Sequence, residues 1–372
     1  MPARPSVTFV IMAGGKGERL WPLVRWDTPK VCLSPDGKRT LLQATIDRLR
    51  PVWPGADWLI VTTDEQADAI RRCLPPTLQR AILVEPQVKN TAACITLAAM
   101  ALASRDPHSI MVAVPADHWI DPPLGFQRTM RLAIETALKR DTIATIGIRP
   151  THPHPGLGYL CAGPVIGESG AGRVLQLAQF IEKPSEVLAQ RLLRHSGVYW
   201  NSGMFVGTAD KFLECVTEWL PDHTKRLLPL VKNLRRPDYA RARAPVLVAN
   251  MRRFVRRAGR AYRMLEAVSF DHGVMDHLRG GVIVEAQFSW ADLGSWDVWA
   301  RLGRASSSTV AVDSQNVTVV GSGGHLIAAV GVQNLLVVHT PSATLICHPS
   351  RVQKVRDVVK RITADRQLSK FR

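Results

Sequence analysis

Ile11-Met12-Ala13-Gly14-Gly15-Lys16-Gly17-Glu18-Arg19-Leu20 joins an apolar run to a loop almost without side chains. The run that leads into it, Val7-Thr8-Phe9-Val10-Ile11-Met12, is short and rich in residues that suit a covered strand. Gly14, Gly15 and Gly17 can take positive φ and let backbone N–H groups approach an anion, while Lys16 and Arg19 supply charge that a triphosphate would attract. A Walker A loop is excluded, because no glycine here is followed at the required distance by Gly-Lys-Ser/Thr. The dinucleotide fingerprint fails as well, since Leu20 stands where its third glycine belongs. On these residues alone, an ordinary tight turn after the first strand stays open.

Composition bounds the rest. A chain of 372 residues has room for one large domain and a smaller one, with a core that needs no disulfide support. A hydrophobic fraction of 46% and a mean hydropathy of zero describe a soluble globular protein. No apolar stretch reaches the roughly 18 residues of a spanning helix. Val7 to Ala13 runs into the glycine loop without a cleavage site, so no signal peptide is read. Cys32, Cys73, Cys94, Cys161, Cys215 and Cys347 form no C-x-x-C pair and read as reduced thiols of a cytoplasmic protein. The net charge of +17 raises nucleic acid as a partner, and much of it is concentrated between Lys225 and Arg263. Aromatic residues barely interleave there, so a solvated basic face is favoured over a polyanion site.

Further strands are predicted at Trp58 to Thr62, Ala81 to Val84, Ile110 to Val114 and Thr142 to Ile148. Helices are predicted at Leu41 to Arg50, Asp64 to Cys73, Thr91 to Ser104 and Phe126 to Lys139, with Asn90 as the cap of the third. This alternation predicts an α/β fold, a Rossmann-like and mostly parallel sheet flanked by helices, over residues 1–304. Residues 305–372 read as a small β-rich domain. Its short runs, from Val310 to Cys347, recur every nine or ten residues and fit a β-solenoid or a sandwich, and a basic helix, Val352 to Arg366, closes it.

The continuation Arg19-Leu20-Trp21-Pro22, with Pro29-Lys30 after it, resembles the sugar-nucleotide pyrophosphorylases, and within them the bacterial mannose-1-phosphate guanylyltransferases. Ala13 to Pro22 fit every fixed position of that family's A-G-G-x-G-x-R-L-W-P pattern; Val31 departs from the glutamine usual after the lysine. Pro115-Ala116-Asp117-His118 and Trp290-Ala291-Asp292-Leu293-Gly294-Ser295-Trp296 match the family's two metal-binding segments, which implies Mg²⁺ on Asp117 and Asp292. Glu85-Pro86-Gln87-Val88-Lys89-Asn90-Thr91-Ala92 resembles its nucleotide-pocket run, with Lys89 in place of an arginine fork. On the sugar side, Gly158-Tyr159, Glu182-Lys183-Pro184, Asn201 within Trp200 to Phe205, and Asp271 stand at matching positions. His272 and Asp276 share a helical spacing, but their stretch matches a pocket-wall segment better than a metal cluster.

The resemblance therefore implies a GTP-dependent nucleotidyltransferase that makes GDP-mannose from mannose 1-phosphate. Ala13, Gly14, Gly15, Gly17, Arg19, Glu85, Lys89, Asn90, Thr91 and Asp117 are expected around the nucleotide. Arg19, Lys30 and Lys183 are expected to offset phosphate charge. Alternatives are a different hexose 1-phosphate or nucleotide, or a catalytically silent GDP-mannose-binding regulator. A homodimer is compatible with the sequence, whereas a membrane partner is not expected. Longer members of the family carry an appended isomerase domain, for which this chain has no room, so transferase activity alone is expected.

Overall fold

The computed structural model describes residues 5–35, 37–232, 258–301, 309–321 and 325–372. Most of the basic segment, residues 233–257, and the expected domain boundary at 304–305 lie outside the described residues. Strands β1 (Val7–Met12), β2 (Asp57–Thr63), β3 (Ile82–Glu85) and β4 (Ile110–Pro115) are followed by a short β5 (His118–Asp121). Then come β6 (Ala144–Ile148), β7 (Tyr159–Ser169), β8 (Gly172–Ile181), β9 (Val198–Thr208), β10 (Val282–Glu285) and β11 (Ser289–Asp292). Nine of these form one sheet in the order β3-β2-β1-β4-β9-β6-β10-β8-β7.

Phe9, Val10 and Ile11 of β1 are fully buried, as expected of a strand covered on both faces. Helices α1 (Leu41–Leu49), α2 (Asp64–Cys73), α3 (Asn90–Ala103) and α4 (Pro123–Arg140) provide that cover. Thr40 starts α1 through a capping box with Gln43. Asn90 does not cap α3 as expected. Lys89 is the residue at that boundary, and Asn90 takes φ 64° with its side-chain oxygen accepting from Thr91 N–H.

The sheet is parallel through β3, β2, β1 and β4. Beyond β4 it is mixed, because β9 runs antiparallel to both β4 and β6. β7 pairs back onto β9, closing β9, β6, β10, β8 and β7 into a ring. Helices α5 (Glu186–Leu192), α6 (Ala209–Trp219) and α7 (Pro221–Lys232) lie in and after this part, and α8 (Trp296–Arg301) follows β11.

The C-terminal strands are β12 (Thr309–Val312), β13 (Gln315–Gly321), β14 (Ile327–Val330), β15 (Gln333–His339) and β16 (Thr344–Cys347). Thr309 faces Ile327 and Gln315 faces Gln333 in parallel register, an offset of eighteen residues in both pairs. Two parallel ladders with one repeat length are a solenoid coil, and the sandwich alternative drops out. Helix α9 (Val355–Ala364), shorter than expected, follows a 3₁₀ turn at Pro349–Lys354.

Cys32 and Cys73 are joined in a disulfide, which corrects the reading of all six cysteines as reduced thiols. The pair is 41 residues apart in sequence and meets because α2 ends beside the Lys30–Cys32 turn. Cys94, Cys161, Cys215 and Cys347 are free. No described helix is long and apolar enough to cross a membrane.

Candidate active site

β1 has β2 on one side and β4 on the other, so the strand order reverses there and leaves a crevice at the carboxyl ends of β1 and β4. The glycine loop leaves β1 at this crevice. Gly17 takes φ 62°, and a Cβ on it would lie 2.8 Å from the Cβ of Lys30. Glycine is thus required at position 17 by its own backbone and by the close approach of Lys30. A Cβ on Gly14 would meet the Glu85 carboxylate at 3.8 Å, which places Glu85 beneath the loop. Gln66 Nε2 donates to the Gly15 carbonyl at 3.3 Å, Ala13 N–H donates to Val61, and Arg19 sits in the short turn Glu18–Leu20.

Asp117 occupies the gap between β4 and β5, and β5 pairs antiparallel with β11 so that His118 faces Asp292 directly. That one register brings together the two expected metal carboxylates. Both lie on Lys30, whose Nζ donates to Asp117 Oδ2 at 2.6 Å and to Asp292 Oδ1 at 3.2 Å. Burial alone would lower the lysine's pKa, but the two carboxylates outweigh it and hold the ammonium above its ordinary value. Burial would likewise raise Asp117, yet the Lys30 ammonium, through its charge and its hydrogen bond, keeps it below the usual carboxylate range. His118 is buried and lowered by that burial, so it is a neutral imidazole, and its Nδ1 has no hydrogen-bond partner among the described residues. Ligand atoms of Asp117, His118 and Asp292 lie within 4.8 Å of one another. Two carboxylates and a neutral imidazole already gathered around one cationic group are a donor set that fits a divalent ion.

On one side of this centre is the expected nucleotide wall. Burial pushes Glu85 up to about 8, and the hydroxyl of Tyr262, 3.4 Å away, opposes this only in part, so Glu85 is protonated at neutral pH. Lys89 does not face the crevice with a free ammonium. It donates to the carbonyls of Leu265 at 2.7 Å and Arg263 at 3.2 Å, which ties the run expected at the nucleotide to the segment before Phe270. Thr91 Oγ1 accepts from Phe270 N–H at 2.8 Å and pins the segment that carries Asp271.

The opposite side is built by the antiparallel strands. Because β9 runs against β4 and β6, its N-terminal end carries Trp200 and Asn201 to the crevice edge, where Tyr159 of β7 faces both Trp200 and Ile181. Asn201 Nδ2 donates to Asp271 Oδ1, and Glu182 accepts from Lys183. Burial, with the Glu182 charge, raises Asp271 to about 6. A Cβ on Gly158 would clash with Glu182 Oε2 at 2.8 Å, so glycine there makes room for the carboxylate. Lys183 holds φ 44°, a left-handed backbone unusual for lysine and further disfavoured before Pro184; strain of this kind gathers at functional sites. Asn90, Glu182, Lys183, Ser269, His272 and Asp276 line one pocket of about 460 Å³.

Residues 8–307 match the nucleotidyl transferase family. The chain belongs to that family. As a nucleotidyltransferase it continues, over residues 307–362, into a match to the mannose-phosphate isomerase/GMP-like β-helix domain, which accords with the solenoid ladders. It is similar to the Salmonella muenchen mannose-1-phosphate guanylyltransferase, 33% identical over an alignment of 372 positions, with 96% of this chain and 73% of the relative covered. An alginate biosynthesis protein AlgA of Pseudomonas putida is 33% identical over 370 residues, covering 96% of this chain and 71% of that one. A solved Thermus thermophilus structure described as a mannose-1-phosphate geranyltransferase superposes with TM-score 0.76 at 28% identity, covering 96% of this chain and 99% of its own.

Some residues of the nucleotidyltransferase's centre had no distinctive signal in sequence. Arg48, on α1, donates to the His118 carbonyl at 2.9 Å and is lowered by burial to about 10, lying under the acid pair as a fixed charge. Tyr262 reaches Glu85 from 177 residues away. Glu285, at the end of β10, gathers Arg149, Arg173 and the Tyr199 hydroxyl and clamps β6, β8 and β9 at the crevice edge. Its only trace in sequence is an acid ending an apolar strand. Among the described residues of the basic segment, Arg226 pairs with Asp222.

Proposed function

We propose that this nucleotidyltransferase transfers GMP from GTP to mannose 1-phosphate, giving GDP-mannose and pyrophosphate. The observation that carries this reading is the convergence of Asp117 and Asp292 on Lys30, whose stem packs against Gly17 of the glycine loop. The names of the similar proteins support the choice of sugar and base.

The phosphate of mannose 1-phosphate is ionised at neutral pH, so it attacks the α-phosphorus without a general base. A new oxygen–phosphorus bond forms, the bond to the bridging oxygen of the β-phosphate breaks, and pyrophosphate leaves with the electron pair. The protein's work is to bring two anions together and hold them in line. The loop amides of Ala13 to Gly17, with Arg19, take the triphosphate. Lys183, Glu182, Asn201 and Asp271 take the phosphate and hydroxyls of the sugar. Asp117 and Asp292, with His118, would hold Mg²⁺, which supplies charge neutralisation at the phosphates when bound. Protonated Glu85 beneath Gly14 adds no negative charge to a site that binds polyanions.

The test is a turnover panel of the four nucleoside triphosphates against mannose, glucose and fucose 1-phosphates, read by pyrophosphate release. GTP with mannose 1-phosphate should give the highest kcat/KM. Preference for another pair would refute the assignment of base or sugar, and no release with any pair would refute the transferase reading.

A further inference from the structure

Lys30 occupies both carboxylates that a divalent cation at this site would need. Its ammonium lies 2.6 Å from Asp117 Oδ2 and 3.2 Å from Asp292 Oδ1, and its side chain is only 6% exposed. Gly17 admits it, since any Cβ there would strike the lysine's own Cβ at 2.8 Å. Resting on the metal-dependent reading above, we propose that Lys30 is a built-in counter-ion that competes with the divalent ion for Asp117 and Asp292. It gives them up when nucleotide phosphates on the adjoining loop offer its ammonium another partner. Metal and nucleotide then bind cooperatively through one side chain.

Three physical points carry this. Two carboxylates that face one ammonium in a half-buried crevice repel each other strongly once that cation is removed, so the metal-free protein needs Lys30 where it is. An ammonium and a divalent ion held between the same two carboxylates repel each other at that separation, so each weakens the other's hold on the pair. Lysine is a compact charge on a rotatable four-carbon stem, which suits it to change partners where a planar arginine fork would be held in one geometry. The position of Gly17 against the Lys30 stem puts the anion-binding loop within that side chain's reach. By linkage, whatever factor nucleotide contributes to metal affinity, metal returns to nucleotide affinity.

Titration of the chelator-treated full chain with Mn²⁺ alone, followed by calorimetry and by the electron paramagnetic resonance of free Mn²⁺, tests the competition without turnover. Lys30→Met should bind Mn²⁺ about tenfold more tightly than the wild type, a factor within the ordinary range of intersite coupling. Lys30→Arg, which keeps the charge, should not. If Lys30→Met is unstable in chelator, its melting temperature should rise more on adding Mn²⁺ than that of the wild type. Equal Mn²⁺ affinity, or an equal rise, in wild type and Lys30→Met overturns the competition and leaves the metal site standing. Failure of every form to bind Mn²⁺ overturns the metal reading and this proposal together.

Discussion

Trp21 Nε1 donates a 2.8 Å hydrogen bond to the carbonyl of Phe371, across 350 residues of chain. Trp21 follows Arg19 by two positions, and Phe371 is the penultimate residue of the C-terminal region. The bond is one contact in a second hydrophobic core. In it Leu20, Trp21 and Val24 pack with Leu293, Trp296 and Trp299 and with Leu336, Val355, Val359 and Ile362. Leu293 is the neighbour of Asp292, and Trp119, the neighbour of His118, packs on the same cluster. The solenoid and its closing helix therefore form the floor on which the glycine loop and both acid segments rest. Trp21→Phe keeps the ring and removes the donor, so stability should fall by about 1 kcal/mol. KM for the nucleoside triphosphate should rise several-fold with little change in fold. Denaturant unfolding and steady-state kinetics measure both, and wild-type values for both would show the contact to be idle.

Asp117→Asn and Asp292→Asn should each lower kcat by orders of magnitude while the circular dichroism spectrum stays native, since each keeps its shape and loses its charge. Mn²⁺ affinity should fall with activity. A near-normal rate in Asp292→Asn would remove that residue from the mechanism.

Arg19→Ala and Lys183→Ala separate the two halves of the crevice. Arg19→Ala should impair GTP use with any sugar phosphate. Lys183→Ala should chiefly raise KM for mannose 1-phosphate, because the contact exists already in the ground state. Kinetics with each substrate varied in turn decide the matter. An equal loss toward GTP in both variants, with none toward mannose 1-phosphate, would take Lys183 off the sugar side.

Glu85 makes a prediction about pH. Its carboxyl is raised from 4.5 to about 8 by burial, so the folded protein holds a proton that the unfolded chain releases. Its contribution to stability is whole below about pH 4.5 and is lost as pH rises through about 8. The loss is on the order of a few kcal/mol. Glu85→Gln, neutral throughout, should gain stability relative to the wild type between pH 5 and pH 9. Urea unfolding at the two pH values reads this directly, and a constant difference between the proteins would show that Glu85 titrates normally.

What the sequence determined by itself is local. Gly14, Gly15 and Gly17 after an apolar strand, and Asp117 at the end of a second one, were legible because contiguous residues set backbone shape and chemical type together, whereas the roles expected of Asp117, Glu182-Lys183-Pro184 and Asn201 came from the resemblance. The parallel half of the sheet and its helices followed from periodicity for the same reason. Only the tertiary structure decided what those groups face. Lys30 meets Asp117 and Asp292 across 87 and 262 residues through the β5–β11 register. Glu85 keeps its proton because its burial beneath the glycine loop outweighs the hydrogen bond from Tyr262. Lys89 turns to two backbone carbonyls, Asn90 leaves the capping position, and Cys32 finds Cys73. A side chain's type can be read position by position, but its charge state and partner are fixed by packing between segments that no local pattern relates, since electrostatic and desolvation energies depend on distance in space.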